Sequence, residues 1–181
     1  MKIGILVGSL RKESFNRKVA NSIMQLAPDT LEMHIIDIGQ LPIFNQDEEA
    51  TPPQAWVQFR QSIKPLDGFL LITPEYNRSI PAVLKNALDV GSRPYGQNLW
   101  NGKPCAVISA SVGVIGGFGA NHHLRQSLVF LNAPCMQQPE VYLSHVDKLF
   151  DDDGNLNNEG TKAFLNQFIQ AFINWVQKNR P

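Results

Sequence analysis

The sequence predicts an α/β fold in which a five-stranded, doubly wound parallel sheet forms the middle of three layers. Two observations lead there. Strand and helix signals alternate along the whole chain, and the strand runs are apolar throughout rather than apolar at every second position. Strands of that kind are buried on both faces, which parallel sheets covered by crossover helices require. Right-handed crossovers then place helices on both sides of the sheet.

Each element follows from its own pattern. Lys2–Val7 reads as a buried strand. Phe15–Leu26 reads as a helix, with Phe15, Val19, Ile23 and Leu26 at three- and four-residue spacing. Leu31–Asp37 is a second strand, and the loop Gly39–Pro53 contains Pro42, Asn45 and Pro52-Pro53. Gln54–Ile63 is a helix with Trp56, Phe59 and Ile63 on one side. Gly68–Thr73, the most apolar run, is a central strand, and Pro81 opens a helix to Val90 from the favoured first-turn position. Pro104–Ala110, Ala120–Leu131 and Met136–Leu143 give the next strand, helix and strand. Asp151–Asn155 is an exposed turn, and Glu159–Gln177 a terminal amphipathic helix. No repeat, low-complexity tract or linker interrupts the chain, so one domain is expected over residues 1–181.

Bulk composition narrows the function classes. Of 181 residues, 43% are hydrophobic and 18% charged, as in a globular protein. Basic and acidic residues number 16 each, so no net field recruits nucleic acid or an anionic membrane. The apolar stretch Ile3–Val7 is too short for a secretory signal and lacks a small-residue cleavage site. No run approaches the roughly 18 apolar residues of a spanning helix. A cytoplasmic location is expected. Cys105 and Cys135, 30 residues apart with no CxxC motif, read as reduced, buried thiols. His34, His122, His123 and His145 lack ligand spacing, and no metal site is expected.

Three segments fall at carboxyl ends of predicted strands, where open α/β sheets bind ligands. In the first, Gly8-Ser9-Leu10-Arg11-Lys12-Glu13-Ser14-Phe15-Asn16, two hydroxyls, a guanidinium and an amide crowd a helix amino terminus. Free N–H groups and the helix dipole favour an anion there. Ser14 alone is as readily a helix cap; the group together reads as a phosphate pocket. The turn lacks Gly-x-Gly-x-x-Gly, which pyrophosphate recognition uses for close backbone approach, so a mononucleotide monoester fits better than a dinucleotide. The second segment, Thr73-Pro74-Glu75-Tyr76-Asn77-Arg78-Ser79-Ile80-Pro81, is bracketed by prolines. Such a stiff loop can present backbone groups and an aromatic to a flat heterocycle; taken alone, it serves equally as an ordinary turn. The third, Ser109–Ala120, holds four glycines and Ser111, and reads as a loop that touches a ligand or as a flexible glycine turn.

In this order the segments resemble the NAD(P)H-dependent FMN reductase family, flavodoxin-like enzymes that include bacterial quinone and chromate reductases. The resemblance rests on Gly8-Ser9-Leu10-Arg11-x-x-Ser14-x-Asn16, on Pro74-Glu75-Tyr76-Asn77-x-Ser79-x-Pro81-x-x-Leu84-Lys85-Asn86-Ala87-Leu88-Asp89, and on Gly116-Gly117 through Leu124-Arg125, over roughly residues 1–145. It implies that Ser9, Arg11, Ser14, Phe15 and Asn16 hold the phosphate and ribityl end of FMN. It further implies that Pro74, Glu75, Tyr76 and Asn77 line the isoalloxazine edge and that Ser111 and Gly113 close the other side. The sequence departs from the family at Gly119, where an arginine often follows the glycine pair, and at Val90-Gly91, where Trp-Ala is common.

The implied reaction is hydride transfer from NADPH or NADH to the flavin. Electrons then pass from the same face to a small oxidant: a quinone, free flavin, azo dye or metal oxyanion such as chromate. No acid–base side chain is required, and none is assigned; Glu75 fits a loop-shaping role. Asp37 reads as a turn residue. The resemblance also implies a homodimer or homotetramer. Arg125, among apolar residues of helix Ala120–Leu131, either meets Glu140 at a subunit interface or reaches water from a monomer. A non-enzymatic FMN electron carrier is the competing class, although carriers that dock on basic partners are strongly acidic and this chain is neutral. An FMN-based redox sensor is a second.

Overall fold

In the computed structural model, which describes residues 1–180, the apolar runs pair as predicted. Strands β1 (Lys2–Val7), β2 (Glu32–Ile36), β3 (Gly68–Thr73), β4 (Cys105–Ala110) and β5 (Val141–Leu143) form one parallel sheet. The spatial order is β2-β1-β3-β4-β5, the flavodoxin-like winding. Helices α1 (Phe15–Leu26) and α5 (Glu159–Asn179) cover one face; α2 (Gln54–Ile63), α3 (Ala82–Ser92) and α4 (Phe118–Phe130) cover the other.

The strands are apolar throughout because both faces are occupied. Ile3, Ile5, Val7, Leu70, Ile72, Ala106 and Ile108 pack under α1 and α5. Leu6, Phe69, Leu71, Cys105 and Val107 pack under the other three helices. Strand β2 sits at the edge and is only partly covered. No helix among the described residues is long and apolar enough to cross a membrane.

Several boundaries move for identifiable reasons. Strand β2 stops at Ile36 because the Asp37 carboxylate accepts the Gly39 N–H at 2.9 Å and turns the chain. Pro81 is the residue before α3 rather than its first; its carbonyl accepts the Lys85 N–H at 3.1 Å. Helix α4 begins two residues early, at Phe118, because Gly117 enters it at a left-handed φ of 78°. The expected strand Met136–Leu143 pairs at Met136, whose N–H donates to Cys105 O at 2.8 Å. It leaves the ladder before Pro139, which has no N–H to give, and resumes at Val141.

Packing is specific at two further positions that the sequence singles out. At Gly91, an added Cβ would lie 2.5 Å from the Trp100 indole, which is fully buried and donates Nε1–H to Leu88 O at 2.9 Å. Arg125 is half-buried and is tied down within its own chain. Its Nε donates to Asn121 Oδ1 at 2.8 Å and its Nη1 to Met136 O at 2.8 Å.

Candidate functional site

Because β1 lies between β2 and β3, the chain goes from β1 to β2 on one side and then crosses back to β3 on the other, which makes the β1–β3 boundary a switch point. Open α/β sheets bind ligands outside the carboxyl ends of the strands at such a point, here the ends of β1 and β3. The Gly8 N–H donates to Ile72 O at 2.8 Å, carrying the pairing with β3 one residue past the end of β1. Glycine is needed at position 8: a Cβ there would come within 3.2–3.4 Å of Leu84, Pro74 and Pro81. The first and second segments therefore touch directly.

At the head of α1, Ser9, Ser14 and Asn16 are buried. Ser14 is the N-cap, its Oγ accepting the Arg17 N–H at 3.2 Å, which leaves its own hydroxyl hydrogen free to donate elsewhere. The first turn of α1 contains no acidic residue, so its positive dipole end is uncompensated from within the helix. Asn16 donates Nδ2–H to Ala110 O over a long 3.4 Å, tying this turn to the end of β4. Its Oδ1 is the one buried side-chain polar atom without a partner among the described residues. A buried acceptor left open costs about 1–3 kcal/mol, so an orphan beside a helix amino terminus marks where a ligand donor would sit. Arg11 is exposed. Phe15 is half-buried and stacks on Phe150 at 6.5 Å, with the Lys18 ammonium 5.5 Å over its ring. Its ring therefore belongs to the wall of the turn.

The second segment is a tight hairpin. Tyr76 and Ser79 exchange two backbone hydrogen bonds of 2.9 Å, and Asn77 and Arg78 between them take positive φ of 51° and 65°. Asparagine tolerates that region; arginine does so less readily and is held by an ion pair with Glu75 at 3.2 Å. The other Glu75 oxygen accepts the Ala120 N–H at 3.1 Å, at the amino end of α4. Both carboxylate oxygens are thus committed to the scaffold, leaving Pro74, Tyr76 and Asn77 at the mouth of the crevice. Tyr76 is about half exposed.

In the third segment the four glycines do different work. Gly116 and Gly117 have φ of 61° and 78°, and Cβ atoms there would press on Tyr142 and Ser109. Gly119 lies against Arg78 O and Glu75, where a Cβ would stand 2.8 and 2.9 Å away. Only Gly113 borders open space; its N–H donates to Ser111 Oγ at 3.1 Å. Ser111 is fixed in turn by bonds to Leu143 and Val146. Sequence reasoning missed the aliphatic rim of this loop: Val112, Val114 and Ile115 are exposed, Val114 at 74%. Three apolar side chains interleaved with glycines and pointing outward are the signal that was available.

Comparison with known proteins places this geometry. The family model described as NADPH-dependent FMN reductase matches residues 1–148. The chain belongs to that family. It is 57% identical over 179 residues to a quinone reductase of Pseudomonas putida, covering 98% of this chain and 96% of the relative. It is 44% identical over 180 residues to a 2-hydroxy-1,4-benzoquinone reductase of a Burkholderia species, covering 99% and 98%. The solved structure of FerB, a flavoenzyme NAD(P)H:(acceptor) oxidoreductase from Paracoccus denitrificans, superposes with a TM-score of 0.94 at 41% identity over 99% of both chains. The protein is accordingly an NAD(P)H-dependent FMN reductase, with FMN as cofactor and a nicotinamide nucleotide as electron donor.

Proposed function

We propose that the crevice at the ends of β1, β3 and β4 holds FMN and that the chain uses it to reduce quinones with NADPH or NADH. In this reading Ser9, Arg11, Ser14 and Asn16 receive the phosphate and ribityl chain at the amino end of α1, over a wall made by Phe15. Pro74, Glu75, Tyr76 and Asn77 border one edge of the ring, Glu75 through its backbone, and Ser111 and Gly113 border the other. The observation that carries the placement is the unpartnered, buried Asn16 Oδ1 beside an uncompensated helix dipole. A ribityl hydroxyl would supply the missing donor.

Bound FMN supplies two-electron chemistry, accepting a hydride and giving electrons to an oxidant. The chain's own residues orient it and exclude water from one side. With both of its carboxylate oxygens occupied, Glu75 is not free to act as a general base. Any backbone N–H of the second and third segments that faced the ring would stabilise negative charge on its reduced form. The rim Val112, Val114 and Ile115 favours a flat, apolar quinone over a hydrated oxyanion such as chromate. The names of the similar Pseudomonas and Burkholderia reductases point the same way. Free flavin and azo compounds are secondary acceptors in this scheme. The free cysteines suit the reducing cytoplasm. The exposed Val129 and Phe130 at the end of α4 suit a homodimer or homotetramer, which light scattering would register.

The test is spectroscopic and kinetic. Purified protein should show oxidised-flavin absorbance that bleaches anaerobically on adding NADPH and returns with 1,4-benzoquinone. Double-reciprocal plots should be parallel, because donor and acceptor use one open ring face in turn. Colourless protein that takes up no FMN in a calorimeter would overturn the site; a bleached flavin that benzoquinone does not reoxidise would overturn the acceptor.

A further inference from the structure

Far from the crevice, the opposite edge of the sheet brings two thiols together. Cys105 opens β4, and the segment before β5 runs beside it. The Cys105 N–H donates to Pro134 O at 2.9 Å and the Met136 N–H donates to Cys105 O at 2.8 Å. These bonds pair Cys105 with Cys135 in a parallel bridge. Both side chains enter the same apolar cluster, between the sheet and α2, α3 and α4. Paired strands lie about 4.8 Å apart, within the roughly 4.4–6.8 Å between Cα atoms that a disulfide spans. Each thiol points to a carbonyl of this same segment, Cys105 to Ala133 O at 3.9 Å and Cys135 to Met136 O at 3.8 Å.

Their surroundings differ. Cys105 is completely buried, and burial pushes its thiol well above the usual range. Cys135 is only partly buried, and the Arg125 Nη1 stands 3.4 Å from its sulfur. That guanidinium is fixed by the Asn121 side chain and the Met136 carbonyl. The neighbouring Cys105 thiol, and then the Arg125 charge, draw the Cys135 thiol down. One reachable sulfur beside a fixed cation, backed by a buried second sulfur, has the parts of a redox pair: an attacking and a resolving cysteine.

We propose that Cys135 and Cys105 form a peroxide-responsive dithiol that closes to an intramolecular disulfide. The Cys135 sulfur attacks one peroxide oxygen; the S–O bond forms as the O–O bond breaks, and hydroxide leaves with a proton as water. The Cys105 sulfur then attacks the resulting sulfenic sulfur; the S–S bond forms, the S–O bond breaks, and the departing hydroxide takes the Cys105 proton. Two thiols lose two electrons, and one hydrogen peroxide becomes two waters.

The FMN-loaded chain is exposed to hydrogen peroxide, alkylated, and mapped by mass spectrometry without reductant. The expected product has lost two hydrogens, joins the Cys105 and Cys135 peptides within one chain, and reverts with dithiothreitol. In Cys105→Ser, peroxide should leave Cys135 as a sulfenic acid that dimedone captures; in Cys135→Ser, Cys105 should remain a thiol. Arg125→Gln should slow Cys135 oxidation severalfold, because the cation that favours its thiolate is gone. A measurement on the unaltered reduced protein guards against variants that misfold: iodoacetamide should label Cys135 well before Cys105. Two free thiols after peroxide treatment, cross-linking only between chains, or faster labelling of Cys105 would each overturn the proposal.

Discussion

Replacing Asn16 by leucine should move two measurements in opposite directions. Asn16 is 5% exposed, and its Oδ1 has no partner. Its only hydrogen bond, from Nδ2 to Ala110 O, is 3.4 Å long and contributes at most about 0.5 kcal/mol. The buried open acceptor costs about 1–3 kcal/mol in the FMN-free protein. Leucine is close in size and removes both terms, at about 1 kcal/mol for imperfect shape. FMN-free Asn16→Leu should therefore be equal to or about 1 kcal/mol more stable than the parent in urea denaturation. In the proposed site the same change deletes a hydrogen bond to the ribityl chain, so the FMN Kd from calorimetry should rise about tenfold, the equivalent of roughly 1.4 kcal/mol. A purely structural asparagine predicts the reverse: stability falls and FMN affinity holds. That outcome would refute the reading of Asn16 as a ligand contact.

Gly91→Ala places a Cβ 2.5 Å from the immobile Trp100 indole and should cost about 1–3 kcal/mol in urea denaturation, with FMN affinity little changed. Gly119→Ala presses on Arg78 O and Glu75 and should displace the Pro74–Pro81 hairpin. It should therefore weaken FMN binding severalfold in a fluorescence titration. Tyr142 is pushed up to about 12 from the ordinary 10, first by burial and then by Glu140. Its contribution to stability is full below about pH 10 and lost as pH rises towards 12. Tyr142→Phe should flatten that alkaline decline in the urea midpoint.

Much of this architecture could be read from the chain because local and tertiary signals agree. The boundaries of β1, α1, α2 and β3 coincide with uninterrupted apolar runs, a serine cap or a Pro-Pro entry. Where they disagree, tertiary contacts decide. Gly117 starts α4 through a backbone conformation, and Pro139 divides the last strand by lacking a donor. Within the site, residue types were legible but roles were not. Nothing in Gly113, Gly116, Gly117 and Gly119 as letters separates the one facing open space from the three that pack against neighbours. Nor does separation along the chain announce that Cys105 and Cys135 are bridge partners; parallel pairing alone makes them so.

The packing of Gly119 links these details to the proposed chemistry. A reductase whose cofactor does the bond-making needs a rigid seat on one side of the ring and free access on the other. The seat is rigid because each loop is fastened to another element: Asn16 to the end of β4, Gly8 to Pro74 and Pro81, and Glu75 to Arg78 and the head of α4. An arginine at position 119 would have to pass through the space that the Glu75 carboxylate and the Arg78 carbonyl fill. The Glu75 link and a side chain at 119 are therefore mutually exclusive here, and the chain has taken the link. On the free side stand Val112, Val114 and Ile115, unpacked and apolar. In the proposed site, one open face bordered in this way would take a nicotinamide and then a quinone. Alternating occupancy of one face is the physical origin of the parallel kinetic pattern expected of this enzyme.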